Sequence, residues 1–416
     1  MIMKLISRSL KTFFSATTLF SATLYADTIE RSNDLGDRDI QAIREWINTK
    51  RQVTVREIGG ALSLSGEVRA EFQATGETVN GIRQRGQGSA TDLNSSAYDV
   101  EVNVMLDYRS DRTWAAIKLE FDNNAGINSG SYNRIKLEKA YFGCRMVDAD
   151  TFTSDIEIGR RKLSNIVDSK IEFCCFFDGI WFKYDHGFEK FGDFYIHAGP
   201  FIINERINQY AYLGETGVFD IGGTGFYTKY SLIDWDTKHF HERGEHDRFN
   251  FLVSQFILGY KFVPKPFNKA IIIYSAALYN HKAKKLDISD RKRSNFGGYL
   301  GFSIGELKKK ADWSFDINYQ ILAAQTVPDF DVCGIGLGNA TDSGFYTSDI
   351  DGSGGPTTRS SAAGNGNYRG FVATLDYLIT NNLTIEQQWQ QSITLDTNIG
   401  PFRRFKQYEI ELIYAF

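Results

Sequence analysis

The chain has 416 residues, with 47 Lys and Arg against 51 Asp and Glu and no basic tract, which removes the charge footprint of a nucleic-acid binder. It holds 32 Phe and 21 Tyr but only six Pro, and beyond the first 26 residues no segment approaches the about 20 apolar residues of a transmembrane helix. Four cysteines are too few for a disulfide framework in a chain of this length.

In chain order, residues 1–26 have the form of a secretory signal. Lys4, Arg8 and Lys11 make the basic region, Phe13 to Leu24 the apolar one, and Ala26 the cleavage end, with Leu24 larger than the small residue usual at that place. Cleavage there removes three positive charges and no acid, so the formal charge moves from −4 to −7. Residues 27–60 are polar, with Ile40, Ile43 and Ile47 at helical spacing, which predicts a short periplasmic helix.

From residue 61 the pattern changes to a period of two, which puts alternate side chains on opposite faces of a strand. Leu64, Val68 and Phe72 alternate with Glu67, Arg69 and Glu71. Val100, Val102, Val104, Leu106 and Tyr108 oppose Glu101, Asn103, Asp107 and Arg109; Ala115, Ile117, Leu119 and Phe121 oppose Lys118, Glu120 and Asp122. Later strands are predicted near 135–146, 151–161, 175–184, 193–203, 209–220, 225–235, 248–262, 269–281, 296–305, 311–324, 367–380, 383–394 and 403–416. The segments 175–184 and 269–281 alternate poorly, which leaves their facing open. The total is about sixteen, an even number as single-chain bacterial barrels require. The connections sort into two kinds. Segments such as 147–150, 222–224, 307–310 and 381–382 are tight, whereas 236–247, 282–294 and 327–366 are long and polar. Short periplasmic turns and long external loops are the habit of outer-membrane barrels. The fold class expected is therefore all-β, a transmembrane antiparallel β-barrel of residues 61–416.

The final stretch is the most telling. Tyr408, Ile410, Leu412, Tyr414 and Phe416 form one apolar row, with Gln407, Glu409 and Glu411 on the other face. A last strand ending in Tyr-x-Phe resembles the terminal strand of bacterial outer-membrane β-barrel proteins. Leu137-Glu138-Lys139-Ala140-Tyr141-Phe142-Gly143, followed by Ile156-Glu157-Ile158-Gly159-Arg160, is similar to a strand pair of the general bacterial porins. That resemblance implies an aqueous channel for small hydrophilic solutes, a homotrimer in an outer membrane with lipopolysaccharide around it, and a loop after the fifth strand that folds inward. Here the inward loop would be Lys162–Phe173.

A barrel of this strand number holds a lumen instead of a packed core. Asp168 and Glu172 would present acids at its neck, with Arg69, Arg109, Lys118, Lys136 and Arg161 on lumen parity as the opposing wall. Acids prevail among the other inward positions (Glu101, Glu120, Asp312, Asp316, Asp376, Glu386, Glu409, Glu411), which predicts a weak preference for cations. A surface barrel without an open pore shares every strand feature. His239, His241 and His246 lie with Glu242, Glu245 and Asp247 in one external loop and carry metal-ligand residue types, but they read as a solvated loop. No Ser–His–acid set stands out by spacing, and neither an enzyme nor a cofactor is expected. Among the cysteines, Cys175–Cys333 and Cys174–Cys144 are the bridges left open.

Overall fold

The computed structural model describes residues 53–57, 60–91, 93–124, 134–204, 209–235, 251–265, 269–283, 285, 293–328, 331–336, 349–350, 356–357 and 366–416. The leader, the helix expected around Ile43 and the His239–His246 loop lie outside them.

Sixteen antiparallel strands close into a ring. They are β1 (Gly60–Val79), β2 (Ser96–Arg109), β3 (Thr113–Asn124), β4 (Arg134–Asp148), β5 (Phe152–Lys162), β6 (Phe176–Phe188), β7 (Gly192–Asn204) and β8 (Gln209–Phe219). There follow β9 (Phe226–Asp234), β10 (Leu252–Phe262), β11 (Ile271–Asn280), β12 (Phe296–Gly305), β13 (Trp313–Leu322), β14 (Tyr368–Leu378), β15 (Leu383–Thr394) and β16 (Arg403–Ala415). Each pairs with its sequence neighbours, and β1 pairs with both β2 and β16: Val68 lies opposite Val102 on one side and Tyr414 on the other. Closure satisfies every ladder without leaving an edge, which is the condition for backbone to cross lipid.

The seam depends on the last residue. Phe416 exchanges two backbone hydrogen bonds with Gly66, at 3.0 and 2.9 Å. Its ring lies across Gly66 so closely that a Cβ there would sit 2.6 Å from it. Where β16 stops, the short strand Val53–Glu57 folds back on Gly60–Leu64 and continues the pairing of β1.

The period of two has its expected meaning. On β16, Tyr408, Leu412, Tyr414 and Phe416 are exposed on the outside, whereas Ile413 and Ala415 are buried inside. Leu64, Val100, Ile117, Ile196, Phe256, Leu300 and Leu375 join the exposed set round the ring. An apolar outside this continuous is the surface of a barrel seated in lipid. The two strands of poor alternation acquire a facing: Phe177 and Trp181 of β6, and Tyr274, Leu278 and Asn280 of β11, are buried, with Ile180, Phe182, Ile273 and Tyr279 exposed. Both faces are apolar there because the inside of the barrel is packed at those strands.

β4 holds a device that alternation conceals. Lys118 pairs with Lys139 but its neighbour Leu119 pairs with Leu137, so Glu138 is an extra residue in a β-bulge. Glu138 and Lys139 are therefore both buried, while Leu137 and Phe142, of opposite parity, are both exposed. Gly159 in the facing strand has φ +136, and a Cβ on it would meet the Ala140 carbonyl oxygen at 2.2 Å. Only glycine fits that approach.

Candidate pore lining and inward segments

After β5 the chain turns into the barrel. Leu163 N–H donates to the Cys175 carbonyl at 2.9 Å and closes the base of an inward segment, 163–175. Leu163, Ile166, Val167, Ile171 and Phe173 are all at most 2% exposed, in one apolar cluster with the inward side chains of Phe177, Trp181, Phe201, Leu213, Ile233, Val253 and Leu278. Polar anchors fix how far the segment reaches. Asp168 pairs with Lys229 of β9 at 3.0 Å. The Ser169 hydroxyl donates to Gln255 Oε1 of β10 at 2.7 Å, and Gln255 Nε2 donates to the Asp168 carbonyl at 2.8 Å. Lys170 lies 3.6 Å from Asp316 of β13. In a ring of sixteen, β13 is diametrically opposite β5, so the segment crosses the lumen from wall to wall.

A second segment, following β13, enters from the far side; Gln325, Thr326, Val327, Asp331, Val332 and Ile335 are buried. A Cys174–Cys333 disulfide ties the two segments, and Cys333 N–H donates to the Ile171 carbonyl at 2.7 Å. Neither of the bridges left open by the sequence forms. The reason is Asp331, whose carboxylate accepts the N–H groups of Phe173 and Cys175, each at 3.1 Å, while its carbonyl accepts that of Cys174 at 3.2 Å. This clamp aims Cys174 at Cys333 and turns Cys175 aside, and Cys144 sits apart on β4.

Glu172 was expected in the neck, but it is 1% exposed. Ser169 Oγ accepts its N–H at 3.0 Å, Phe173 beyond it takes a left-handed φ of +79, and the side chain turns into the packing. Neither of its carboxylate oxygens has a hydrogen-bond partner among the described residues. Burial, with the Asp331 charge beside it, raises the Glu172 carboxyl well above the carboxylate range, and burial pushes Asp331 up to about 7. Burial likewise raises the Cys175 thiol.

The opposite side of the ring, β16 through β5, is charged. Arg69 lies 2.6 Å from Glu67, 3.5 Å from Glu411 and 3.9 Å from Glu101. Lys118 pairs with Glu138 at 2.6 Å, Lys136 with Glu120 at 2.7 Å and Lys162 with Glu138 at 2.5 Å. Arg161 pairs with Glu157 and lies over the Tyr141 ring at 3.9 Å. Glu157 also accepts from Lys183 at 2.7 Å and Trp114 Nε1 at 2.9 Å. The structure thus brings Arg69, Lys118, Lys136 and Arg161 onto one wall, each interleaved with acids. Asp168 is held on the opposite wall by Lys229. Arg109 stands apart at the turn end of β2, eight residues from the Glu101 that faces Arg69 in register, or roughly 27 Å along the strand.

Acids are densest at the seam. Carboxylate oxygens of Glu71, Glu409 and Glu411 lie within 4.8 Å of one another, and Gln73 Nε2 donates to Glu409 at 3.1 Å. Sequence reasoning missed Glu138 because of the bulge. It missed Lys229 and Lys183 because their partners come from distant segments. One hydrolase-like pattern, Gly301-Phe302-Ser303-Ile304-Gly305, runs along β12 in unbroken register with Ser314 to Asn318 of β13. It has no strand-to-helix turn, the geometry that gives that pattern its chemistry.

No protein-family model matches the chain, and no curated protein matches it either. Among solved structures, it is similar to a Pseudomonas putida OprB structure obtained at high pH, with 9% identity over 85% of this chain and 94% of that one, at a TM-score of 0.52. A variant of the Rhodopseudomonas blastica porin matches at 9% identity over 85% of this chain and 100% of that one, with a TM-score of 0.43. The fold is that of the porins, a closed sixteen-stranded antiparallel transmembrane barrel.

Proposed function

We propose that the protein is an outer-membrane channel of the Gram-negative type, through which small hydrophilic solutes and ions diffuse passively with a weak preference for cations. The observation that carries this reading is the two-sided lumen: a charged wall from β16 to β5 faces a segment that crosses the ring. Charges lining a passage with low-dielectric walls act on permeating ions far more strongly than in open water. The acid cluster Glu71–Glu409–Glu411 supports cation preference. The leader of residues 1–26 would deliver the chain to the membrane, lipopolysaccharide and the bilayer would surround it, and a homotrimer is the assembly expected of this architecture. The reading is of a channel and not of an enzyme.

A planar bilayer with a salt gradient tests it. Stepwise openings with a reversal potential of the cation-selective sign support the reading as a whole. Openings of the opposite sign retain the channel and reject the acid cluster as its selectivity element. Folded protein that never opens favours a closed surface barrel, for which the apolar cluster filling the β6–β13 side of the ring is the specific structural argument.

A further inference from the structure

The outside of β14–β16 carries charge where a lipid-facing surface should have none. Arg369, Arg404 and Lys406 are exposed on outward parity at the loop end of their strands. Ile393 of β15 lies in register with Arg369 on one side and Arg404 on the other, so the two arginines share one row, two strands apart. That spacing is roughly 10 Å between backbones, and Lys406 follows roughly 7 Å along β16. The Lys406 stem lies across Gly76 of β1, where a Cβ would come within 2.8 Å of its Cε. None of the three cations has a hydrogen-bond or ion-pair partner in the described residues. The acid nearest in sequence to Arg404 and Lys406, Glu409, lies on the inward parity of β16, where Gln73 Nε2 donates to it at 3.1 Å.

A neutralised arginine elsewhere in the barrel and a row of aromatics on these strands give this charge its meaning. Arg160 is also outward at the loop end, but Asp178 neutralises it through two bonds of 2.7 Å. The three cations are left unneutralised. Directly below them on the same strands lie Phe371, Trp389 and Tyr408, with the Phe371 and Trp389 rings edge-on at 5.5 Å. Aromatics of this kind mark the boundary between hydrocarbon and headgroups. The cations therefore stand at headgroup level, where desolvated positive charge is stabilised by anionic lipid.

We infer that Arg369, Arg404 and Lys406 form a docking site for the phosphate groups of a membrane lipid headgroup on the outer face of the barrel. Guanidinium forks match phosphate oxygens bidentately, and the flexible Lys406 adds a third point of charge. The indole and phenol below would hold the first part of the acyl region.

Folded full-length protein in detergent is titrated with bis-phosphorylated lipid A, re-isolated, and its retained phosphorus measured per barrel. The wild type is expected to retain the lipid. The triple variant Arg369→Gln, Arg404→Gln, Lys406→Gln should bind it roughly 100-fold more weakly, from the usual worth of a basic group near an anionic surface. Arg160→Gln should leave binding unchanged. Arg369→Lys with Arg404→Lys, which keeps the charge, should stay within a few-fold of wild type and controls for folding. A dephosphorylated lipid of the same acyl chains should bind the wild type no better than lipid A binds the triple variant. Equal retention by wild type and triple variant overturns the site, and so does equal binding of the dephosphorylated lipid. A triple variant that changes oligomer mass while keeping its lipid also overturns it and makes this face an interface between copies.

Discussion

The two buried carboxyls at the junction of the inward segments should make docking of those segments depend on pH. Asp331 rises from an ordinary value of 3.8 to about 7, and Glu172 moves in the same direction. A carboxyl whose folded value exceeds its unfolded value binds more protons in the docked state. Stability is then fully present below pH 4 and is lost as pH climbs toward the folded value. For Asp331 alone the span of about three units corresponds to about 4 kcal/mol. Docking of 163–175 should accordingly weaken by up to roughly 1000-fold between pH 4 and pH 8. Hydrogen exchange of the 163–175 amides, corrected for the intrinsic pH dependence of exchange, reads this directly with the disulfide intact. The double variant Glu172→Gln, Asp331→Asn should have a flat profile. Losing one acceptor at Asp331 costs about 1–3 kcal/mol, but that cost is independent of pH, so the slope carries the result. A wild-type profile that is already flat, or a slope that survives in the double variant, refutes the reasoning.

Three other outcomes follow from the same geometry. Asp168→Asn leaves the Lys229 ammonium buried at 2% exposure without its carboxylate; a loss of about 3–5 kcal/mol is expected in denaturant unfolding, and a loss below 1 kcal/mol would mean the anchor is ornamental. Ile410→Lys puts a charge on the lipid face near the middle of β16 and should cost about 2–4 kcal/mol in folding into vesicles, whereas Glu409→Lys, one residue away but inward, should fold normally and move the reversal potential toward anions. Cys174→Ser removes the tie between the inward segments and should lower stability by about 2–4 kcal/mol, with a larger single-channel conductance; an unchanged conductance would show that packing alone holds the segments.

Sixteen strands, their order and the two kinds of connection were legible from local pattern, because in a barrel seated in lipid each strand must alternate between lipid and lumen on its own. The facing of Leu412 and Tyr414 against Glu411 needed nothing beyond β16. The prospect that residues 162–173 turn inward came instead from the resemblance of the strand pair before them to the general porins. Four features were hidden. The bulge at Glu138 adds one residue to a single strand and reverses the parity beyond it, which no period of two can register. β6 and β11 lost their alternation because their inner faces pack against an inward segment, so both sides read as apolar. Glu172 reads as a lumen acid by composition, and only the turn at Ser169 and the left-handed Phe173 take it out of water. Cys174 and Cys333, 159 residues apart, are brought together by the Asp331 clamp. Local alternation and chain order thus determined the barrel. Which charges meet across the lumen, and which leave water, was decided by contacts between segments distant in sequence, where burial and partner geometry set the chemistry.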